Sequence, residues 1–400
     1  MNASSLRVFS GLFCALLACL AAGVEPLSAS VPKDAPATPA SKTPGTAAPR
    51  AEKPPASEAQ KRAAKKVVDL MKEAAALSSK GDAAAAENKL GEAYSLSPNY
   101  GPLLGQLAEV RQKLGRTDQA LSALEQLIRI GEPFDDRACI VAAQIFAGRG
   151  AYADGEKRLI EWAGNRRVSA NFHAAIGILR LGTYDMAAAE TSFREALDLD
   201  PANTPALKGM FQIYDRFDKQ ELVQPFLDKA LAAKPTSTSL RMLSGSNLMR
   251  QKKFAEARKQ FEEIVKSEPR SADGWVNLGS AVYSMGGREE GMADFRKAME
   301  IDPRNFQAPI NLSTALQEGG ANAEARDVLL AARKRGIANV DLLNALAVAH
   351  AKNGEYDAAL AVANESLKRD PDQGPLKKFI EQVGKDKARG AAPSGGPAPR

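Results

Sequence analysis

The chain has 400 residues, 44% of them hydrophobic, which is enough to bury a sizeable apolar core. Two histidines and three cysteines leave little material for a zinc site, a histidine-based relay or a disulfide framework. The net charge of +6 lies at the ends: residues 31–66 contribute +5, residues 374–400 contribute +4, residues 1–30 are neutral, and 67–373 is left at −3. The scarcity of histidine and cysteine disfavours a metalloenzyme, and the mildly acidic middle region disfavours nucleic-acid binding.

Residues 1–30 have the pattern of an export signal. Arg7 precedes an apolar run from Val8 to Val24 without an ionisable side chain, and small residues follow at 21–23 and 28–30. The 17-residue run is short for a membrane-spanning helix. The pattern therefore predicts export, with cleavage near one of the small-residue groups.

A second interpretation of the same segment is lipidation. The sequence Leu16-Leu17-Ala18-Cys19 resembles a bacterial lipobox, although Leu17 fits that motif loosely. Acylation at Cys19, cleavage further on and an uncleaved anchor remain alternatives, so the protein is expected in the periplasm or, as a lipoprotein, at the outer membrane. Either cleavage removes Cys14, and Cys139 is then expected to be a packing residue.

Residues 31–62 are dominated by Ala, Pro, Lys and Thr, and this composition cannot bury enough apolar surface to offset chain entropy. The segment is predicted to be a disordered linker. Residues 390–400 have a similar composition and are predicted to be a disordered tail.

Prolines reveal an internal repeat in the middle of the chain. Pro201, Pro235, Pro269 and Pro303 are each 34 residues apart. In the block 272–305, one apolar helical face is followed by two turn glycines, a second apolar face and a final Asp-Pro pair. The residues that define this block are Trp275, Leu278, Gly279, Val282, Gly286, Gly287, Phe295, Ala298, Asp302 and Pro303. Each block is therefore predicted to be a helical hairpin.

These residues resemble the tetratricopeptide repeat, a 34-residue helix-turn-helix unit. The resemblance implies an all-α, right-handed superhelical solenoid of about nine hairpins over residues 63–373. The repeats are predicted to start at Val67, Gly101, Asp136, Ala170, Thr204, Thr238, Ala272, Phe306 and Val340. Residues 374–389 follow as an amphipathic capping helix, whose apolar side is expected to cover the last hairpin.

Three blocks depart from the pattern. Gly182 comes two places early in the fourth block, which predicts a shortened first helix or a lengthened second one. The third block has Arg167, and the eighth has Ile337, where the proline is expected.

The chain shows no catalytic signature. HExxH, GxxxxGK[ST], GxSxG and Cys-x-x-Cys motifs are absent from the sequence, and His173 and His350 occupy packing places in their repeats. A non-catalytic protein is predicted, with no cofactor and no metal.

A groove on the first helices is the candidate binding site. If places four, seven, eight and eleven of each repeat are buried, places two, five, nine and twelve face the inner wall of the superhelix. The groove predicted from repeats five to eight comprises Pro205, Lys208, Gln212, Asp215, Ser239, Met242, Ser246, Met249, Asp273, Val276, Asn277, Ser280, Tyr283, Gln307, Ile310, Asn311, Thr314 and Gln317.

Asn277 and Asn311, one period apart, resemble the asparagine ladder by which other members of this family grip a peptide backbone. Hydrogen bonding between repeats is the alternative, as is simple packing for Met242 and Met249. The mixed lining suits an extended segment or an amphipathic helix of another protein.

The sequence thus indicates an exported scaffold or adaptor that binds an envelope protein or peptide segment, for pilus assembly, polysaccharide export or envelope biogenesis. The alternative is a periplasmic accessory that binds a glycan or peptidoglycan fragment.

Overall fold

The computed structural model describes residues 58–130, 135–165 and 168–390. The expected signal, Cys19, the linker up to residue 57, Arg167 and residues 391–400 lie outside the described residues. The described part contains nineteen α-helices, one 3₁₀ turn and no strand, so the prediction of an all-α fold is confirmed.

The helices divide into two compact units, whose boundary in the sequence lies between Phe217 and Asp218. The first unit contains α1 Glu58–Ser79, α2 Ala83–Leu96, α3 Gly101–Lys113, α4 Thr117–Ile130, α5 Asp135–Gly148, α6 Tyr152–Ala163, α7 Ala170–Gly182, α8 Met186–Leu199 and α9 Thr204–Arg216. The second unit contains a 3₁₀ turn at Gln220–Leu222, α10 Gln224–Ala233, α11 Thr238–Arg250, α12 Phe254–Ser267, α13 Ala272–Ser284, α14 Arg288–Ile301, α15 Gln307–Glu318, α16 Asn322–Lys334, α17 Val340–Lys352, α18 Tyr356–Arg369 and α19 Gly374–Ala388.

Helical hairpins stack within each unit. A first helix pairs with the second helix of its own repeat and also contacts the first helix of the next, as α13 contacts α14 and α15. Side-chain oxygens at seven N-caps accept a hydrogen bond from the backbone N–H of the third helical residue. These caps are Asp82, Ser169, Asp185, Asn203, Ser237, Ser271 and Asn339.

The start of α1 differs from the prediction. The linker was expected to extend to residue 62, but α1 begins at Glu58 and continues through Val67 into the first repeat. Ala63 and Ala64 favour helix, and no proline follows Pro55 until residue 98. Composition alone therefore placed the end of the linker too late.

Every hairpin turn contains one residue in the left-handed region, and these residues set the period. Glycine occupies this place in six repeats, at Gly81, Gly115, Gly150, Gly286, Gly320 and Gly354. Tyr184 (φ 63°), Asp218 (φ 55°) and Lys252 (φ 60°) occupy it in the other three. The nine positions are 34 residues apart, or 35 between Gly115 and Gly150.

The expected irregularity of the fourth repeat is wrong. α7 has 13 residues and α8 has 14, the same lengths as α13 and α14. Tyr184 takes the left-handed turn place, so Gly182 is not the turn residue. A Cβ at Gly182 would instead overlap the ring of Tyr152, which explains the glycine.

The apolar core crosses the boundaries between repeats. In the second unit, Met292 and Phe295 of α14 form one cluster with Leu312 and Leu316 of α15. Phe261 of α12 likewise joins Leu278 of α13. At the C-terminal end, the cluster of α16–α18 includes Ile337 and is extended by Leu376 of α19. A hairpin therefore buries its apolar side against the next hairpin or the final helix.

Ion pairs also join successive repeats. Arg149 pairs with Asp118 at 2.6 Å, Arg258 with Glu290 at 2.9 Å and Arg333 with Glu365 at 2.5 Å, each across about one period. Such solvent-exposed pairs contribute little to stability, so they only support the stacking that apolar burial provides.

The turn geometry makes a prediction at Lys252. A non-glycine residue in the left-handed region costs about 1–2 kcal/mol of strain. Replacing it with glycine relieves this strain, but the greater flexibility of glycine in the unfolded chain cancels part of the gain. Lys252→Gly is expected to raise the free energy of unfolding by about 0.5–1 kcal/mol in urea denaturation. The mirror substitution Gly286→Lys should lower it by about 1 kcal/mol. A stabilising Gly286→Lys would contradict this account.

Candidate binding surface on the first helices

The candidate surface of the second unit is formed by α11, α13, α15 and α17, each of which contacts the next of the four. Most side chains predicted to line it are half-buried or exposed. These are Ser239, Met242, Ser246, Asp273, Asn277, Ser280, Tyr283, Gln307, Ile310, Asn311, Thr314 and Gln317. They form a continuous, largely uncharged surface that we call the first-helix surface.

Two predicted groove residues are buried, and their placement in the groove is wrong. Met249 is 6% exposed and packs with Phe261 and Ile264. Val276 is 3% exposed and packs with Ala298 and Ala308. Both side chains are covered by helices of their own or a neighbouring repeat, so they belong to the core.

The two asparagines make hydrogen bonds within the protein. Asn277 Nδ2 donates to the Asp273 carbonyl at 2.8 Å and to Met242 Sδ at 3.3 Å. Asn311 Nδ2 donates to Ser280 Oγ of the preceding repeat at 3.3 Å. The amides therefore link repeats, as the alternative interpretation of the sequence expected.

Tyr283 lies in a small polar cluster at the C-terminal ends of α13 and α15. Its hydroxyl donates to Glu318 Oε2 at 2.5 Å, and Arg288 Nη2 lies 3.8 Å from the same oxygen. The Arg288 guanidinium carbon is 6.0 Å from the Tyr283 ring centre. Burial and the bond to Glu318 raise the pKa of Tyr283 above its usual value. The sequence pattern did not indicate Glu318 and Arg288, because their position in this cluster depends on how neighbouring repeats pack.

At the N-terminal edge of the surface, hydrogen bonds link successive first helices. Asn305 Nδ2 donates to Asp273 Oδ1 at 3.0 Å, while Asn305 Oδ1 caps α15. Asn203 and Asn171 repeat this arrangement in the first unit at 2.7 Å. A residue that caps one first helix therefore also fixes the second place of the preceding first helix.

Lys208, Gln212 and Asp215 are on α9, which belongs to the first unit. Gln212 is exposed, whereas Pro205, Lys208 and Asp215 are half-buried. The prediction that they continue the groove of the later repeats stays a prediction.

Both histidines contact carboxylates. His173 Nδ1 lies 2.9 Å from Glu195 Oε2, and His350 Nδ1 lies 2.5 Å from Glu355 Oε2. His350 is 8% exposed, and Cys139 is buried. Within residues 58–130, 135–165 and 168–390, no group of three His, Cys, Asp or Glu side chains is arranged to hold a metal. No helix in these ranges is long and apolar enough to cross a bilayer.

One buried carboxyl lies beneath the first-helix surface. Asp294 of α14 is 9% exposed, and its Oδ2 has no hydrogen-bond partner among the described residues. Its Cβ lies 2.9 Å from where a Cβ on Gly279 of α13 would be. Burial and the nearby Glu290 raise the pKa of Asp294 to about 6, while Arg258 partly opposes the shift.

Two protein-family models, both described as tetratricopeptide repeat, match this chain. The first matches residues 77–136, and the second matches residues 242–305 and 310–374. Among curated proteins, Hsp70-Hsp90 organizing protein 1 of Glycine max is 26% identical over 145 residues, 35% of this chain and 19% of that protein. Human DnaJ homolog subfamily C member 3 is 23% identical over 228 residues, 53% of this chain and 45% of that protein. The chain spans less than half the length of either relative.

Several solved structures are similar in part. A chain of the APC/C hetero-tetramer Cut9-Hcn1 matches 76% of this chain and 59% of its own length, with 15% identity and a TM-score of 0.47. The pilF protein of Pseudomonas aeruginosa matches 53% and 97%, with 18% identity and a TM-score of 0.40. PilW, a type IV pilus biogenesis factor, matches 53% of this chain and 98% of its own length, with 19% identity and a TM-score of 0.43.

The burial of Asp294 makes stability depend on pH. The pKa of Asp294 is higher in the folded than in the unfolded state, so the folded protein favours the protonated carboxyl. The free energy of unfolding therefore decreases as the pH rises from about 4 through 6 and Asp294 loses its proton. Asp294→Asn should therefore gain about 2–3 kcal/mol relative to the unmodified protein between pH 4 and pH 8. Urea denaturation at several pH values measures this. Asp198→Asn, on an exposed helix surface, is the control, with an expected effect below about 0.5 kcal/mol.

Proposed function

The chain contains tetratricopeptide repeats, and from this premise we propose that it is an adaptor that holds another protein on its first-helix surface. Such repeats act as protein-interaction scaffolds and are generally non-enzymatic. The bound partner is an extended segment or an amphipathic helix of an envelope protein.

The composition of the surface carries this proposal. Met242, Ile310 and the Tyr283 ring supply half-buried apolar contacts, while Ser246, Gln307 and Thr314 supply polar groups between them. A phosphate ligand would need concentrated positive charge, and a sugar would favour several stacked rings. Tyr283 alone among these lining residues is aromatic, so a protein segment fits the surface better than a glycan.

The proposed compartment is the bacterial envelope. Its support is the sequence of residues 1–30, with Arg7, the apolar run and the small residues that follow. Within that compartment the adaptor would serve pilus assembly, polysaccharide export or envelope biogenesis, held by a lipid on Cys19 or released after cleavage.

A photo-crosslinking amino acid at Tyr283 tests the surface. The full chain carrying it, produced in bacterial cells, should capture one discrete envelope protein that mass spectrometry identifies. Two control proteins carry the same amino acid elsewhere. One has it at Tyr184, an exposed tyrosine in the α7–α8 turn, and the other at Arg296 on the exposed side of α14. Equal capture at all three positions would contradict a specific site, and capture of a glycan alone would favour the alternative ligand.

Labelling tests the anchor. If Cys19 is acylated, radiolabelled palmitate should enter the protein in a bacterial host, and Cys19→Ala should abolish the label. Cys14→Ala is the matched control, because Cys14 lies in the part of the signal that processing removes. An unlabelled wild-type protein would end the lipoprotein hypothesis and leave ordinary cleavage or an uncleaved anchor.

A further inference from the structure

The first nine residues of α1, 58–66, are a helical extension that precedes the first repeat, and we call them the overhang. Its side chains from 61 to 66 are all exposed. Four of its residues are basic, Lys61, Arg62, Lys65 and Lys66, and Glu58 is its one acidic residue. The repeat pattern starts at Val67, after the overhang, and the exposed side chains of residues 61–66 take no part in the stacking.

The positive charge of the overhang is not balanced by neighbouring residues. Lys61 pairs with Glu58 at 2.8 Å. Arg62, Lys65 and Lys66 have no acidic partner among the residues that the structure describes. Further along α1, Asp69 and Glu73 are acidic and Lys72 is basic, so the helix keeps a net positive charge; Glu73 pairs with Lys89 at 3.0 Å.

This arrangement works against the stability of the helix itself. Lys61 with Lys65, and Arg62 with Lys66, are like charges four residues apart, which repel each other on a helix surface. Lys61, at the end of the first turn of α1, also opposes the helix dipole. Because packing and local electrostatics do not require these cations, their clustering points to an anion outside the protein.

The direction of the cations fits a flat anionic surface. Val67, Leu70 and Ala74 are buried and mark the side of α1 that packs on the first repeat. At 100° per residue, the four cations span an arc of roughly 140° on the opposite side. They can therefore approach an extended surface together.

We propose that the overhang docks the protein on an anionic phospholipid bilayer. Each Lys or Arg near such a surface strengthens binding about fivefold, and salt screens the attraction. Residues 31–57, which precede the overhang, add four basic residues against two acidic ones, so the same sign of charge continues toward the expected N-terminal signal. The docking does not depend on a partner at the first-helix surface.

Vesicle binding by the full chain tests the proposal. Co-sedimentation is measured with vesicles of phosphatidylcholine alone and with vesicles that also contain phosphatidylglycerol, because the apolar N-terminus is expected to bind both. The variant combines Lys61→Gln, Arg62→Gln, Lys65→Gln and Lys66→Gln. The control combines Lys219→Gln, Lys252→Gln, Lys253→Gln and Lys259→Gln, which are exposed positions and give the same change in net charge.

The ratio of binding to anionic vesicles over binding to neutral vesicles is expected to fall at least about tenfold in the overhang variant. In the control variant this ratio should stay within about twofold of that of the unmodified protein. Salt at about 0.5 M should remove the preference of the unmodified protein. Circular dichroism should show folded, helical protein in both variants. The proposal is overturned if the unmodified protein shows no preference, if the overhang variant keeps it, or if both variants lose it equally.

Discussion

A single hairpin of this protein cannot bury its own apolar surface, and the rest of the structure depends on that constraint. Phe295 of α14 inserts beside Gly279 of its own first helix, yet its cluster is completed by Leu312 and Leu316 of the next repeat. Burial across the repeat boundary is therefore the main stabilising term, because surface ion pairs such as Arg258–Glu290 contribute little. In the second unit, the same stacking leaves side chains on the first helices half-buried or exposed, and these form the first-helix surface.

The period is maintained by backbone geometry more strictly than by residue type. Tyr184, Asp218 and Lys252 adopt the left-handed conformation that glycine supplies in the other turns. Each such substitution costs about 1–2 kcal/mol, which the packing of the adjoining repeats offsets. Gly182 shows the opposite case, where glycine is required by the ring of Tyr152 and not by the turn. A glycine in a repeat sequence can thus mark either a turn or a close contact.

Period, helix type and the position of the final helix could be predicted from the sequence, because they follow from local patterns of proline, glycine and apolar residues. The lining of the groove could be predicted only in part. The fifth position of the repeat is buried at Val276 but half-buried at Met242 and Ile310, because its solvent exposure depends on the helices that pack beside it. The bond between Tyr283 and Glu318 joins residues 35 positions apart, and a distance across repeats has no local signal in the sequence.

The hydrogen bonds already present on the first-helix surface constrain how the proposed adaptor would bind a partner. Both N–H groups of the Asn277 amide are used by Asp273 and Met242, so this side chain can offer a partner only its Oδ1 acceptor. Asn311 donates to Ser280 and retains one further donor. The Tyr283 hydroxyl donates to Glu318 and the Arg288 guanidinium lies over the ring, so a partner can contact the part of the ring that Arg288 leaves uncovered. A new polar contact with a partner would largely replace an existing hydrogen bond, so apolar burial at Met242, Ile310 and Tyr283 would supply most of the affinity. Because Asn277 offers an acceptor and Asn311 a donor, these two amides would fix the direction of the bound segment.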